Sequence, residues 1–347
     1  MATNVLTGIR TMAEAAKSVG AQGNELAVVD VLSQRSPMIQ EGHWEEANDF
    51  NSHHYLQTLD EIKGTDTVIN AEISWEEPTM KPVTEIIQGL ESYSKADSRI
   101  VRMQNNPEQF RRTRDNLRIK QLGKAVQDRM LYGNSTIGLT TAVNPAQVTG
   151  LIPRFNKISG VTYNQLQGAQ YWPINIVSAG GSTAGAQASA LAIKWGPDGV
   201  YFTYPRGGKN FIQAEDVSAR YGGPILITSS TGAYEAEISH FSLGFGIAVA
   251  DWRAVQRICN INKANDTKPW TSTLQVQLLA AFPDADWTNV VLYVNITTWT
   301  EMLQEALSNT NSFHFDDAPW GGSPTVYFQT IPVRLCDRMV NTEPVVS

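Results

Sequence analysis

Four groups of residues carry side chains that could do chemistry. His53 and His54 are adjacent, which in an extended segment sends their imidazoles to opposite sides, a poor arrangement for one metal. His314, Asp316 and Asp317, in HFDDAPWGG, could offer an imidazole and carboxylates to a metal. No second cluster at ligand spacing accompanies them, so a solvated loop is the better account. Cys259 has His240 upstream and Asp251 nearby, the parts of a thiol nucleophile. It sits in VQRICNIN, an apolar strand-like context that favours an unreactive buried thiol. The glycine-rich YPRGGKN and GSTAGAQ lack the glycine, lysine and hydroxyl order of a phosphate-binding loop and read as turns. No serine stands in a nucleophile elbow. The sequence therefore implies no cofactor and no resident metal, and it is not read as that of an enzyme; a hydrolase using His314 and Asp316 is the remote alternative.

Composition narrows the class further. At 347 residues the chain exceeds what one hydrophobic core usually supports, so two domains, or one with long excursions, are expected. A net charge of −7 argues against a dedicated nucleic-acid reader, whose domains are basic. Cys259 and Cys336 are too few for a disulfide framework, and the first residues lack the apolar core of a signal peptide. A reducing cytosol is the expected compartment. No apolar run approaches the roughly 20 residues needed to span a bilayer.

Against this acidic background, residues 107–134, PEQFRRTRDNLRIKQLGKAVQDRMLYGN, hold seven Lys/Arg and three Asp/Glu, a local +4 that leaves −11 for the rest. Asn105 or Asn106 can cap a helix here, Pro107 suits its first turn, and Gly133 stops it. From Glu108 to Tyr132 such a helix is about 37 Å long at 1.5 Å per residue. At 100° per residue, Phe110 and Leu117 fall on one side while Ile119, Leu122, Val126 and Met130 fall nearly opposite. The two halves thus face different neighbours; the alternative is a break near Leu117.

Elsewhere the pattern is mixed. Residues 1–50 include a short helix pattern in TMAEAAKSV and little that builds a core, so they read as an arm ordered by lying on something else. Tyr55, Leu56, Leu59 and Ile62, then Lys63-Gly64-Thr65-Asp66, then Val68, Ile69, Ala71, Ile73 and Trp75 spell a long hairpin with a Gly-bearing turn, too polar to be buried in one monomer. Val83, Ile86, Ile87 and Leu90 follow. Ile193 and Trp195, the turn Gly196-Pro197-Asp198-Gly199, and Val200, Phe202 and Tyr204 give a second hairpin signal. Leu274, Leu278, Leu279 and Phe282 share a helical face. A buried strand from Val290 leads into a helix whose stripe is Trp299, Met302, Leu303, Ala306 and Leu307. TVYFQTIPVRLCDRMV supplies two closing strands. The fold class is α+β, without repeats.

Three stretches together resemble the major capsid proteins of tailed bacteriophages with the Hong Kong 97-type fold. The first is the long helix with its exit DRMLYGNSTI and the continuation NPAQVTGLIPRFN. The second is YEAEISHFSLGFGIAVADWRAVQRICNIN, where His240, Gly244, Asp251, Trp252, Arg253, Arg257 and Asn260 stand at matching positions. The third is the ending IPVRLCDRMVNTE. The resemblance spans most of residues 50–345. It implies an N-terminal arm (1–50), an extended loop (51–79), a peripheral domain with the spine helix (80–150, helix about 107–132), an axial domain (151–324) and a return strand (325–347). It further implies a virion protein, assembled in the bacterial cytoplasm, that forms hexameric and pentameric capsomers and an icosahedral shell around double-stranded DNA.

The partners implied are other copies of the chain, a portal protein, packaged DNA through non-specific contacts, and, in some relatives, a decoration protein; no membrane is involved. With no long coiled coil ahead of the arm, a separate scaffolding protein is expected. Asp60, Glu61 and Asp66 at the loop tip are candidates to meet a neighbour's Arg111, Arg112, Arg114 and Arg118. A solvated helix face, or one turned to the DNA, are the other accounts of those arginines. Lys63 is the lysine near the tip that could crosslink, but no asparagine and acid accompany it at identifiable spacing. A tail or decoration subunit is the alternative virion role.

Overall fold

The computed structural model describes residues 36–58, 80–135, 144–158, 175–207, 212–229, 232–262, 269–282, 286–308, 313–316, 325–328 and 330–347, with Asp66, Ile69, Trp75 and Glu77 singly. Two compact units are interleaved along the chain. The smaller is built around Gly89–Ala125 and Asn210–Gly244, the larger around Ser36–Gln88, Val126–Lys209 and Phe245–Ser347.

The larger unit holds a seven-stranded sheet in the order Phe313–Asp316, Thr325–Phe328, Ile331–Leu335, Val290–Val294, Ala188–Lys194, Val255–Ile261, Ile176–Ser178. Val290–Val294 and Val255–Ile261 are buried along their whole length; the first accordingly reads as a continuous apolar run, while the second carries Gln256, Arg257 and Asn260, each hydrogen-bonded within the chain. Helix Ile296–Ser308 starts where Asn295 Oδ1 accepts from the Thr298 N–H at 2.8 Å, and its Trp299, Met302 and Leu303 pack on the sheet core. The side chains of Ala306 and Leu307 lie outside the described residues. Helix Ser272–Ala280 is capped by Thr271 and buries Leu278 and Leu279, with Phe282 just beyond.

Two expectations are corrected. Ala188–Lys194 and Val200–Tyr204 do not pair as a hairpin. The first lies between Val255–Ile261 and Val290–Val294, while the second pairs with Trp44–Glu46 and with Gly246–Val249 in another sheet. Both strands are buried nearly throughout, so each needs neighbours of its own, and the Gly196–Gly199 turn passes the chain from one sheet to the other. A Cβ at Gly199 would lie 2.6 Å from the Lys194 carbonyl oxygen, so the turn needs glycine there.

The other correction concerns the extended loop. Ser52–Thr58 pairs antiparallel with Met80–Ile86, from Ser52 opposite Ile86 to Thr58 opposite Met80, not with residues 68–75. The Gly-bearing tetrapeptide was the nearest turn signal, but the ladder is set by which side chains point inward, and here those are polar. Residues 59–65 lie outside the described residues. Residues 36–50 lie on the larger unit: Met38 is fully buried, Trp44 lies 4.9 Å from the Phe202 ring, and Glu41 accepts from Tyr293 and pairs with Arg334. Residues 1–35 lie outside the described residues.

In the smaller unit the strand Gly232–Val249 carries Ile212–Asp216 opposite Ser239–Leu243 and Ile225–Ser229 opposite Gly232–Ala236, while Gln88–Asp97 is its other neighbour. The long helix runs without a break from Pro107 to Tyr132. The division between the units falls inside this helix, after Ala125, and inside the long strand, after Gly244. Phe110 packs with Ala96 and Val101 in the smaller unit, whereas Val126 and Met130, past the division, are buried in the larger one; Ile119 and Leu122, on the same face as Val126, still belong to the smaller unit.

The helix exit is fixed by close backbone approach. A Cβ on Gly133 would meet the Val148 carbonyl oxygen at 2.2 Å, and one on Gly150 the Leu131 oxygen at 2.5 Å. Below this exit lies the most buried charge of the larger unit. Arg257, 1% exposed, donates to Ser189 Oγ, to the carbonyls of Ile152 and Phe155, and at 2.7 Å to Glu343 Oε2. Tyr132 and Ser189 donate to the same carboxylate. Removing one partner of such a pair strands the other charge, so Glu343→Ala is expected to cost about 3–5 kcal/mol in urea unfolding, with Arg257→Met/Glu343→Leu recovering most of that loss.

Candidate assembly interface

The basic stretch begins with a capped helix. Asn106 Oδ1 accepts from the Gln109 N–H at 3.1 Å, and Pro107 occupies the first turn, where no N–H is needed. One turn on, Arg111 reaches Asp216 Oδ2 at 2.8 Å and Glu237 Oε2 at 3.1 Å. Ser239 Oγ donates to Asp115 at 3.0 Å and receives a long contact from Arg111 at 3.4 Å. Burial opposes ionisation of Asp216, but the Arg111 guanidinium and the Ala219 N–H outweigh it and hold its carboxyl below the usual range. The same carboxylates outweigh burial at Arg111 and raise its pKa. An open groove of about 410 Å³ runs here, lined by Pro107, Arg111, Asp115, Asp216, Glu237 and Phe241 among others.

The four candidate arginines are thus not equivalent. Arg111 is engaged inside its own unit. Arg112 is 76% exposed and pairs with Glu108 one turn back, Arg114 lies 5.0 Å over the Phe110 ring, and Arg118 is partly exposed. Of the loop-tip candidates, Asp66 is exposed, while Asp60, Glu61 and Lys63 lie outside the described residues. Sequence reasoning missed Asp216 and Glu237, which sit more than 100 residues from Arg111. The alternation in YEAEIS marks a strand with glutamates on one face but does not say what that face meets.

The base of the extended loop is held by polar contacts in the larger unit. His53 Nε2 meets the Tyr201 hydroxyl at 2.8 Å, and the Tyr55 hydroxyl and Gln57 Nε2 donate to the Val249 carbonyl at 3.0 and 2.9 Å. Arg154 grips both oxygens of Glu85, at 2.5 and 2.7 Å, with both side chains largely buried. Burial pushes the His53 imidazole down from its ordinary pKa, and burial together with Glu45 and Glu85 pushes the Tyr201 hydroxyl up to about 12. On the opposite face of the same ladder Leu56 is 65% exposed, Met80 52% and Ile86 44%, interspersed with the polar Ser52, His54 and Thr84, which bond to one another, and farther along the loop Ile69 and Trp75 are almost fully exposed.

The residues first considered for chemistry have structural partners. His53 is buried and His54 is exposed, as adjacent positions of a strand require. Cys259 is fully buried and burial pushes its thiol up to about 11. His240 stacks on Tyr93 at 4.4 Å, Asp251 binds Arg253 and caps its turn, and Asn260, in the left-handed region at φ 57°, pairs through its amide with both backbone groups of Val346. The side chains of His314 and Asp316, and all of Asp317, lie outside the described residues. Among the described residues no cluster of His, Cys, Asp and Glu is placed to hold a metal, and no helix is long and apolar enough to cross a membrane.

A family model described as major capsid protein GP7 matches residues 20–347. The chain belongs to that family. This capsid protein shares its fold with a chain in the structure of bacteriophage Epsilon15, with a TM-score of 0.70 at 18% identity over 99% of each chain. The bacteriophage JBD30 capsid gives a TM-score of 0.53 at 11% identity, covering 95% of this chain and 99% of that one. No curated protein matches by sequence. For a shell-forming capsid protein, the open apolar face of the loop ladder and the exposed Arg112 are surfaces of different kinds, and Arg111 is part of the fold.

Arg111→Ala is accordingly expected to destabilise the protein by about 1 kcal/mol more than Arg112→Ala, whose exposed helical pair is worth a few tenths. Because the folded pKa of Asp216 is depressed, its contribution is present above the unfolded value near 3.8 and is lost as pH falls through the folded one. In Arg111→Ala the Asp216 titration followed by NMR should move upward, and the stability lost below pH about 3.8 should be smaller than in the wild type.

Proposed function

We propose that this capsid protein assembles as the Hong Kong 97-type subunits do, as hexameric and pentameric capsomers closing an icosahedral head shell around double-stranded DNA. In this reading residues 1–50 are the arm and the ladder of Ser52–Thr58 with Met80–Ile86 is the root of the extended loop. The long helix is the spine of the peripheral domain, residues 151–324 contribute the axial domain, and residues 325–347 return to the spine. Assembly takes place in the host cytoplasm on a separate scaffolding protein, with a portal protein at one vertex, and a decoration protein is a further partner open to such a shell.

The observation that carries this reading is the apolar side chains that the loop leaves open. Leu56, Met80, Ile86, Ile69 and Trp75 are exposed on a chain whose family forms shells, and large exposed apolar surface marks an interaction site. A neighbouring subunit is the partner present in every shell. The acidic tip, Asp60, Glu61 and Asp66, then steers the loop onto the neighbour's Arg112, Arg114 and Arg118. Each exposed pair is worth about 0–1 kcal/mol, but repetition over a lattice makes small terms decide geometry. A second reading, in which these arginines face the packaged DNA, predicts a salt-sensitive contact with DNA in the filled shell.

The two readings separate in an assembly assay scored by negative-stain microscopy. Arg112→Glu with Arg114→Glu should abolish empty shells if the arginines meet a neighbour's loop. Normal empty particles from that variant would contradict the lattice contact and leave the DNA-facing role.

A further inference from the structure

The other edges of the two larger sheets are blunted. Trp44–Glu46 is three residues long with two glutamates, Ile176–Ser178 is three residues long, and Phe313–Asp316 ends on an aspartate. Ile212–Asp216 closes on two acids, and Gln88–Asp97 carries Glu91, Lys95 and Asp97. Short length and charge are the ordinary devices that stop an open strand from pairing with another chain.

Ile225–Ser229 has neither device. From Tyr221 to Tyr234, YGGPILITSSTGAY holds no charged residue, although 18% of the chain is charged. The strand pairs on one side with Gly232–Ala236. Among the described residues nothing pairs with its other side. Leu226 is 64% exposed and the flanking Tyr221 68%, while Ile225 and Ile227 are half-buried. An open, uncharged strand of this kind presents a row of N–H and C=O groups to water beside apolar side chains.

We propose that Ile225–Ser229 is a pairing edge that adds, in antiparallel sense, to the same strand of a second copy of this chain across a twofold axis. Antiparallel pairing of a strand with its own copy is self-complementary, so where residue i meets residue j of the partner, j also meets i, and the contact closes on itself. With no charge in the segment, no charged side chain has to be accommodated in that pairing, whereas Ile212–Asp216 and Gln88–Asp97 would each bring charged side chains into it. The contact joins two smaller-unit sheets into one through backbone hydrogen bonds, and the exposed Leu226 and Tyr221 are covered with it. The proposal rests on the chain being a shell subunit, because a monomer would have to protect this edge.

The test compares the wild-type chain with Leu226→Lys/Thr228→Lys, which places charge on the edge. Folding is checked by circular dichroism and shells by electron microscopy, with the scaffolding protein if wild-type assembly needs it. In parallel, single cysteines replace Leu226, Ile227 or Thr228 and assembled particles are oxidised. Cys259 and Cys336 are buried, so a disulfide-linked dimer reports the new thiols. The lysine variant is expected to stay folded and lose shells, and at least one cysteine should link two copies in particles and none in free subunits. Shells at wild-type yield from the lysine variant overturn the proposal. So does the absence of a dimer from all three cysteines, or a link to a different protein. If the lysine variant fails to fold, the cysteine series decides alone. If the wild-type chain forms no shell under any condition, the shell-subunit reading fails and the proposal with it.

Discussion

A guanidinium cannot lose its proton inside a protein, so a buried arginine compels everything around it to supply acceptors. Arg257 imposes that constraint on the larger unit. Its four acceptors come from three places in the sequence: the carbonyls of Ile152 and Phe155 after the helix exit, Ser189 on a central strand, and Glu343 in the closing segment. The close approaches at Gly133 and Gly150 bring the first of these segments into range, and Tyr132 ties the end of the long helix to the same carboxylate. Arg154 repeats the arrangement on Glu85 and so fixes the root of the extended loop. Uncharged residues of like volume could hold such a core as tightly; what charged groups add is that few other arrangements satisfy them.

The same logic, at lower burial, accounts for the basic stretch. Its positive charge is first a matter of folding, since Arg111 is set between Asp216 and Glu237 in the smaller unit. What remains at the surface is a smaller excess that begins with Arg112. The division of labour is physical: a partly buried arginine with two carboxylates is committed, whereas one that is 76% exposed can exchange its partner at little cost.

Local rules made much of this visible in the sequence. Asn106, Pro107 and Gly133 bound the long helix because caps and breakers act within a few residues. Val290–Val294 with its following helix, and the closing strands, were legible because burial and periodicity agree there. What could not be read was set by distant partners. The extended loop is anchored through His53, Tyr55, Gln57 and Glu85, inward residues that look like surface residues because their partners lie about 70–200 positions away in the sequence. The helix's change of face was plain, but the division of the helix between two units of one chain was not. Asp216 and Glu237 escaped for the same reason. Family membership, by contrast, could be seen in motifs whose residues are mostly structural: Gly133 and Gly150 at the exit, and Asp251, Arg257 and Asn260 around the central strand.

The loop root thus has one face satisfied by hydrogen bonds within the chain, while Leu56, Met80 and Ile86 stand open on the other, the side on which a second subunit is proposed to pack. Oxidative footprinting of free subunits and of assembled shells tests this directly, because Met80 and Trp75 are exposed residues of the loop while Met38 and Met130 are already buried. In shells the oxidation rates of Met80 and Trp75 should fall toward those of Met38 and Met130, which should not change. Equal rates at Met80 and Trp75 in subunit and shell would contradict the account.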